Sequence, residues 1–344
     1  MKKISVISLI LVFVSALLIM TGCGAAAPGL STGKNAPWRN ANHRETVTYD
    51  ITRYAVSEEL DEEGLNKLIP VAEGTFVYDL VEIKNLADYS FPAKVTEKLN
   101  SGNSYGYSLL TASFTLKYNP DAEPDFRGKT DTIESKLLFY TADLMPIYLN
   151  KTQKYASNGT DIKITTDYIN GTNEGYINDK TFNTEVKSDG YDSEFLYYVI
   201  RTYSSLTAGG SGMFNIFSSA DSAIAGESKT YEMRFAAAAA LAKIDKDDSF
   251  LKQCYRPEQL PARDTEPDKN GDYYYTVDAV AAQVGINSVD SGSITTLFYA
   301  KDAFNCMGAE MENVLLVMQT SEYDPYTKLP TFYTSYTISG YSIA

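Results

Sequence analysis

Leu110, Ala112, Phe114, Leu116 and Tyr118 stand at every second position of residues 107–118, and the same period of two recurs elsewhere in the chain. Ile162, Ile164, Thr166 and Tyr168 share one face of 161–169, and Tyr231, Met233 and Phe235 share one face of 229–235. Successive side chains of an extended chain point to opposite faces, so this period predicts half-buried β-strands rather than helices. Asn158-Gly159, Asn170-Gly171 and Asn270-Gly271 punctuate the chain. Both central residues of a type I′ turn need positive φ, which makes these pairs hairpin markers. The first two, followed by Thr, also read as glycosylation sequons, but the turn reading prevails.

Composition agrees with strands. Tyrosine, which favours half-buried sheet faces, occurs 27 times, against a single Trp and a single His. The last strands are expected at 293–300, 312–322 and 330–343, with Asp324-Pro325 and Leu329-Pro330 bracketing a turn. The C-terminal third therefore reads as an antiparallel meander. Helical signals are fewer. Leu60–Leu68 carries a short helix pattern. Ser193–Leu206 places Leu196, Val199, Ile200 and Tyr203 on one stripe, with Asp192 or Ser193 as cap and Gly209-Gly210 as stop. Ala236–Ala242 combines high helix propensity with continuation of an alternating strand, and is expected to be a strand running into a helical turn. Leu138–Asp143 and Leu297–Asp302 echo each other over six residues, which two sheet-based halves or chance would equally produce. The expected fold is mostly β (α+β), with long antiparallel sheets and one or two short helices, in a globular domain over 45–344 whose halves divide near 185.

The first residues set the compartment. Lys2 and Lys3 precede the apolar run Ile4–Met20, which has the form of a secretory signal. Met20-Thr21-Gly22-Cys23 resembles the lipobox of bacterial lipoprotein signal peptides, with Met20 where leucine is usual. The resemblance implies cleavage after residue 22 and lipidation of Cys23 with diacylglyceryl and acyl chains such as palmitate, enough for stable attachment. The alternative is an uncleaved membrane span, since the run lies at the lower length limit for one. Small residues rather than Lys or Arg follow it, which fits a processed lipoprotein better. Residues 23–44, rich in Gly, Ala, Ser, Pro and Asn, read as a flexible tether. The expected location is the extracytoplasmic face of the cell membrane.

Removing residues 1–22 takes away two lysines and no acids, so the net charge falls from −14 to −16. Nucleic acid needs a basic face, and anionic lipid surfaces need the same, so both are improbable partners. Cys254 and Cys306 are an even pair in an exported chain. A bridge would close a loop of about 50 residues and contribute roughly 4 kcal/mol; two buried thiols are the alternative.

Several segments together resemble an uncharacterised family of exported bacterial β-rich lipoproteins with a half-barrel sheet, similar in shape to periplasmic lipoprotein carriers. They are Tyr191–Arg201, a helix closing in Ile200-Arg201; Met213–Phe217; Lys229-Thr230-Tyr231; Leu297–Asp302; and Lys328-Leu329-Pro330. The resemblance spans about 135–340 with gaps, and 236–242 departs from it. It implies a curved sheet whose concave face can hold apolar groups, and it carries over no catalytic residues.

The chain offers little for catalysis. His43, the lone histidine, falls within the tether, which argues against triad hydrolases and histidine-ligated zinc. Gly209-Gly210-Ser211-Gly212 follows a helix instead of preceding one, so it reads as a helix stop and loop rather than a phosphate cradle. Asp268, Asn270 and Asp272, with Asp278 as an extra ligand, begin like a calcium loop. Tyr273 and Ala279 then occupy the places of the obligatory glycine and glutamate, so a hairpin turn is the stronger reading. Among 44 acids, no carboxylate pair is marked by a motif for glycoside hydrolysis. No cofactor is expected.

The leading expectation is a non-catalytic, lipid-anchored envelope protein whose sheet binds an apolar or amphiphilic ligand, or another envelope component, in a groove lined by Tyr, Phe, Leu and Val. A protein- or glycan-interaction module is the alternative, and a carboxylate-dependent cell-wall hydrolase a third. Lipidation has a direct test. The chain expressed in its own host should incorporate radiolabelled palmitate and partition with membranes, and Cys23→Ser should abolish both; label retained in the variant would remove Cys23 as the acceptor.

Overall fold

The computed structural model describes residues 44–344 except 61–63, 101–105, 121–125, 188–189, 203–205, 207–209, 245–247, 268–272, 287–292, 303, 307–308 and 325. The segment read as a signal, Cys23, His43 and the calcium candidates Asp268, Asn270 and Asp272 lie outside the described residues.

The fold class is as expected, mostly β. The N-terminal strands are β1 (Arg44–Leu60), β2 (Asn66–Ile83), β3 (Tyr107–Tyr118), β4 (Thr130–Tyr140), β5 (Pro146–Tyr155), β6 (Thr160–Asp167), β7 (Thr172–Ile177) and β8 (Lys180–Glu185). They are followed by β9 (Tyr191–Asp192), β10 (Ser211–Phe217), β11 (Thr230–Ile244), β12 (Tyr275–Ile286), β13 (Ser293–Ala300), β14 (Phe304–Cys306), β15 (Ala309–Met311), β16 (Leu315–Tyr323) and β17 (Pro330–Ile343). All but β14 and β15 form one 15-stranded sheet, in the order β8-β7-β6-β5-β4-β3-β2-β1-β17-β16-β13-β12-β11-β10-β9. Its pairings are antiparallel except for β9 with β10. Strands before and after Glu185 thus form two contiguous runs joined at β1–β17. The echo at 138–143 and 297–302 marks no symmetry: β4 lies three strands from β1, but β13 lies two from β17.

Four short helices are described: α1 (Ala93–Asn100), α2 (Leu196–Arg201), α3 (Ser219–Ala225) and α4 (Asp248–Cys254). This is more than the sequence pattern predicts. Val95 and Leu99 of α1 pack on Leu109, Leu138 and Tyr148. A 3-10 turn, Ser193–Phe195, capped by Asp192, runs into α2. Phe195, Tyr198, Val199 and Ile200 of this segment are buried in the main core with side chains from both runs of strands. The sheet is therefore wrapped around α2. Helix α3 follows β10 but packs on β6, β7 and β8, and Asn173 Nδ2 donates to the Ser219 carbonyl at 3.0 Å. The helix brings the two ends of the sheet together without strand pairing between them.

Two local expectations are corrected. The helix expected over Leu60–Leu68 is a hairpin: β1 extends to Leu60 and pairs back through Val56 with Leu68 and Ala55 with Ile69. Ala236–Ala242 continues as strand β11 to Ile244 with no helical turn. There, Ala237 faces Ala282, Ala238 faces Ala281 and Ala240 faces Ala279. Tertiary pairing with an equally small-residue strand overrides the helix propensity of alanine. Arg44, expected to end the tether, already pairs in β1, and its guanidinium holds Asp79 at 2.8 Å.

Curvature has a visible cause at Gly74. A Cβ there would stand 1.9 Å from the Thr115 carbonyl oxygen, so β2 and β3 approach more closely than any side chain permits. Gly175 does the same to β6, where a Cβ would lie 1.8 Å from the Lys163 oxygen. Glycine at such points lets a sheet coil. Gly74→Ala is therefore expected to lower stability by at least about 2 kcal/mol, read from the urea midpoint. An unchanged midpoint would remove Gly74 as a source of curvature.

Candidate functional site

Alternation decides which side chains reach the concave face. The register aligns Tyr49 with Phe76 and Phe76 with Phe114 across β1, β2 and β3. Tyr336 of β17 lies opposite Ile51, on the same side. The Phe76 ring is 4.3 Å from Tyr78, 6.2 Å from Tyr49, 6.4 Å from Phe114 and 6.0 Å from Tyr336. Phe114 and Tyr336 close the set at 6.5 Å. Tyr49 and Tyr78 are buried, while Phe76, Phe114 and Tyr336 are only half-buried. Three rings in mutual contact on the inner face thus keep part of their surface exposed.

Charged pairs flank this patch. Arg53, next inward-facing residue but one along β1 from Tyr49, holds Glu322 through two hydrogen bonds of 2.7 and 2.9 Å and lies 4.3 Å above the Phe332 ring. Lys151 of β5 is buried and pairs with Glu194 at the start of the α2 segment. Burial works against the Lys151 charge, but Glu194 outweighs it and raises the ammonium pKa. Next to it Asp192 is buried, accepts from the Tyr168 hydroxyl, and accepts from the Glu194 amide at 2.7 Å. Burial first, then the neighbouring Glu194 charge, pushes the Asp192 carboxyl up to about 7.

Beneath the rings the concavity is filled. Tyr78 is 5.8 Å from both Tyr197 and Tyr198 of α2. The Tyr49 hydroxyl donates to the Leu315 carbonyl and the Tyr299 hydroxyl to the Tyr197 carbonyl, each at 2.9 Å. A void of about 10 Å³ among Tyr49, Tyr78, Tyr198, Arg201 and Tyr299 has room for one water. The expected groove is thus replaced at this depth by α2, whose aromatic side chains and stripe match the sheet's inner face. Among the described residues, what stays accessible at this level is the half-buried aromatic patch.

Arg201 ends α2 and is buried against Glu45, with Nη1 at 3.0 and 2.9 Å from the two carboxylate oxygens. The Tyr341 hydroxyl donates to Glu45 at 2.7 Å, and Arg201 Nε donates to the Glu312 carbonyl at 3.0 Å. Burial alone would lower the Arg201 pKa; Glu45 outweighs it and the net direction is upward.

No family model matches the chain. No curated protein matches its sequence either. In shape it is weakly similar to a solved structure, a β-barrel-like protein of the domain of unknown function DUF1849 from Brucella abortus. That likeness has a TM-score of 0.44 and 10% identity, and covers 88% of this chain and 98% of that one.

Of the residues singled out in the sequence, Asp278 is exposed on β12, away from the aromatic patch in the strand order. Cys254 is buried at the end of α4, which packs against β14, the strand that carries Cys306; the Cys306 side chain lies outside the described residues. Sequence reasoning missed Glu45, Lys151, Asp192 and Glu194 as interior groups. A signal existed for Lys151, which stands in register with the buried Ile147 and Leu149.

Asp192 yields a pH prediction. Its folded pKa of about 7 lies above its ordinary 3.8, so the folded state holds this proton more tightly than the unfolded chain. The stabilisation is full below about pH 4 and is lost as pH rises through 7, at up to about 1.4 kcal/mol per pH unit. Asp192→Asn is expected to gain stability relative to the parent chain between pH 5 and pH 8, measured by urea unfolding. Parallel pH curves would show that Asp192 does not titrate in this window.

Proposed function

We propose that this chain is a non-catalytic, lipid-anchored envelope protein that holds an apolar or amphiphilic ligand against the half-buried rings of Phe76, Phe114 and Tyr336. The observation carrying this reading is the combination of three mutually contacting, incompletely covered rings on an inner sheet face with ion pairs on either side. Incompletely covered aromatic surface on a concave face is where apolar ligand groups gain most from leaving water. The pairs Arg53–Glu322 and Lys151–Glu194 supply charge of both signs for a polar headgroup. A shallow patch suits the apolar part of an amphiphile lying along the sheet better than a buried hydrocarbon, because the depth below is occupied by α2.

The non-catalytic part of the proposal draws on how the interior acids are used. Glu45 is engaged by Arg201 and Tyr341, Glu194 by Lys151, and Asp192 by Tyr168 and a backbone amide. A hydrolytic pair needs one carboxyl free to move a proton and a second facing it across substrate. Glu45 and Glu194 are committed to cationic partners, and Asp192, which exchanges its proton near pH 7, is buried against Tyr168.

The test uses protein purified without denaturant from its own host, extracted and analysed by mass spectrometry, with NBD-labelled lysophosphatidylethanolamine as the binding probe. A stoichiometric amphiphile in the extract and saturable probe binding are expected. Phe114→Ser and Tyr336→Ser should each weaken the probe roughly tenfold, about 1.4 kcal/mol. Tyr333→Ser, whose ring lies on the opposite face beside Tyr54, should leave it unchanged. An empty extract with no probe binding, or equal loss in all three variants, would overturn the assignment.

A further inference from the structure

We propose that the amphiphile held against the half-buried rings ends in a positively charged group, an alkylammonium, and carries no acidic one. This rests on the ligand reading given above and names the headgroup that reading left open. The sign of the inner face decides it. At both margins of the patch the cation lies deeper than the carboxylate that holds it. The Arg53 side chain is 17% exposed against 36% for Glu322, and Lys151 is 9% exposed against 15% for Glu194. An incoming headgroup therefore meets carboxylate before it meets base.

The two pairs neutralise themselves, but Asp131 adds an acid that has no ion-pair partner among the described residues. It lies opposite Leu116, two residues along β3 from Phe114, and so shares the inner face. Its buried carboxylate accepts from the Ser157 amide at 2.9 Å and from the Ser157 hydroxyl at 2.7 Å. Neither of those donors brings a charge. The margins also act on one surface. Burial first, then Glu322 and Tyr155 against the opposing pull of Arg53, pushes the Tyr336 phenol up to about 12. Tyr155, raised first by burial, also feels Lys151 and Glu194. Both carboxylates thus stand within electrostatic reach of adjoining phenols.

The rings favour the same sign. The face of an aromatic ring is the negative part of its quadrupole, so it attracts a cation placed within about 6 Å of its centre. One such arrangement is already built here: the Arg53 guanidinium lies 4.3 Å over the Phe332 ring while Glu322 holds it. Phe332, Thr334 and Tyr336 pair in turn with Ala55, Arg53 and Ile51, so Phe332 and Tyr336 face the same way along β17. An ammonium over Tyr336 would repeat the arrangement and share Glu322. A phosphate or carboxylate headgroup would have to draw Arg53 from Glu322 or Lys151 from Glu194, leaving a partly buried carboxylate without its counter-charge.

The experiment uses the full chain and NBD-lysophosphatidylethanolamine labelled on its acyl chain. The probe is displaced by four dodecyl chains that differ only in headgroup: trimethylammonium, sulfate, phosphocholine and the uncharged maltoside. Trimethylammonium is expected to displace it at a concentration at least about tenfold below that of sulfate, with the other two between. Glu322→Gln uncovers Arg53 and should lower the trimethylammonium-to-sulfate affinity ratio at least about fivefold, whereas Arg53→Gln should raise it. Both variants should leave displacement by maltoside unchanged, which general damage to the fold would not. Equal displacement by all four chains overturns the headgroup assignment and leaves the ligand reading standing. Tighter binding of sulfate or phosphocholine than of trimethylammonium, or a ratio that moves the same way in both variants, overturns it too. A probe that does not bind at all removes the ligand reading, and this inference with it.

Discussion

The contact on which the architecture turns is the buried ion pair between Glu45, two residues into the first strand, and Arg201, the last residue of the interior helix. Neither charge reaches solvent, and each has a partner besides the other: Tyr341 from β17 donates to Glu45, and the Glu312 carbonyl accepts from Arg201, whose Nη2 is buried without a hydrogen-bond partner. Asn313 closes the arrangement by donating from Nδ2 to the Arg201 carbonyl at 3.3 Å. Four segments distant in sequence thus meet at one point, from both runs of the sheet and the helix between them. A buried pair of this kind is weak evidence for net stability, because desolvating two charges offsets most of their attraction. Its force lies in the asymmetry. Any arrangement that withdrew α2 from the concavity would leave Glu45 buried without its counter-charge, a cost of about 3–5 kcal/mol. The pair therefore fixes where the helix sits.

That placement explains why the concavity is filled. With Arg201 held against β1 and β17, the stripe of Tyr198, Val199 and Ile200 is brought onto the inner face, and the Phe195 ring lies 4.3 Å from that of Phe139 of β4, tilted by 45°. The sheet has to curve to follow so narrow an object. Gly74 and Gly175 permit close backbone approach in the N-terminal run, and the facing alanines of β11 and β12 leave the C-terminal run thin. Curvature and helix are two sides of one constraint. A flat sheet would leave the helix half exposed, and a coiled sheet without the helix would enclose a void costly to keep empty.

Much of this was legible in the sequence, and the parts that were not have identifiable causes. The alternation at 107–118 marks β3 to the residue, and Asn158-Gly159 does lie in the β5–β6 hairpin turn, but only Gly159, at φ of 72°, is in the positive region, so the turn is not the expected type I′. The last strand was also readable, because Asp324-Pro325 and Leu329-Pro330 bracket the turn before it, and it runs over Pro330–Ile343. The hairpin at Leu60 was misread because a short run of Leu and Glu carries a helical stripe by accident, and only its pairing with 66–69 makes it strand. Ala236–Ala242 was misread for the same reason: local propensity cannot see β12. The interior charges were the hardest. Glu45 stands at the edge of what reads as tether, 156 residues from Arg201, and no local pattern links them. The aromatic patch was foreshadowed by tyrosine-rich alternation, but its depth depends on α2 lying inside, which no strand pattern encodes.

The abundance of tyrosine then acquires a structural reason. An inner face that must meet both a helix and the backbone of the opposite strands cannot be purely aliphatic, since carbonyls such as those of Leu315 and Tyr197 reach it and need donors. Tyrosine covers apolar area with its ring and satisfies the carbonyl with its hydroxyl. Tyr49 and Tyr299 do so, while Tyr341 and Tyr168 donate instead to the buried carboxylates of Glu45 and Asp192. Burial raises the pKa of each well above the ordinary phenol range, so each keeps its proton and remains a donor. Phe76 and Phe114, which carry no hydroxyl, break this pattern at the accessible level. There the inner face changes from a surface that consumes hydrogen-bond partners to one that offers only rings, with Tyr336 as the single phenol among the three. An occupant of that level gains from apolar contact without stripping a donor from a carbonyl. The polar groups it can then meet are the charged side chains at the margins, Arg53 and Glu194, which already have partners and would share them. A molecule with one apolar face and one polar end is the shape of ligand that such a surface accepts at least cost to the protein's own hydrogen bonds.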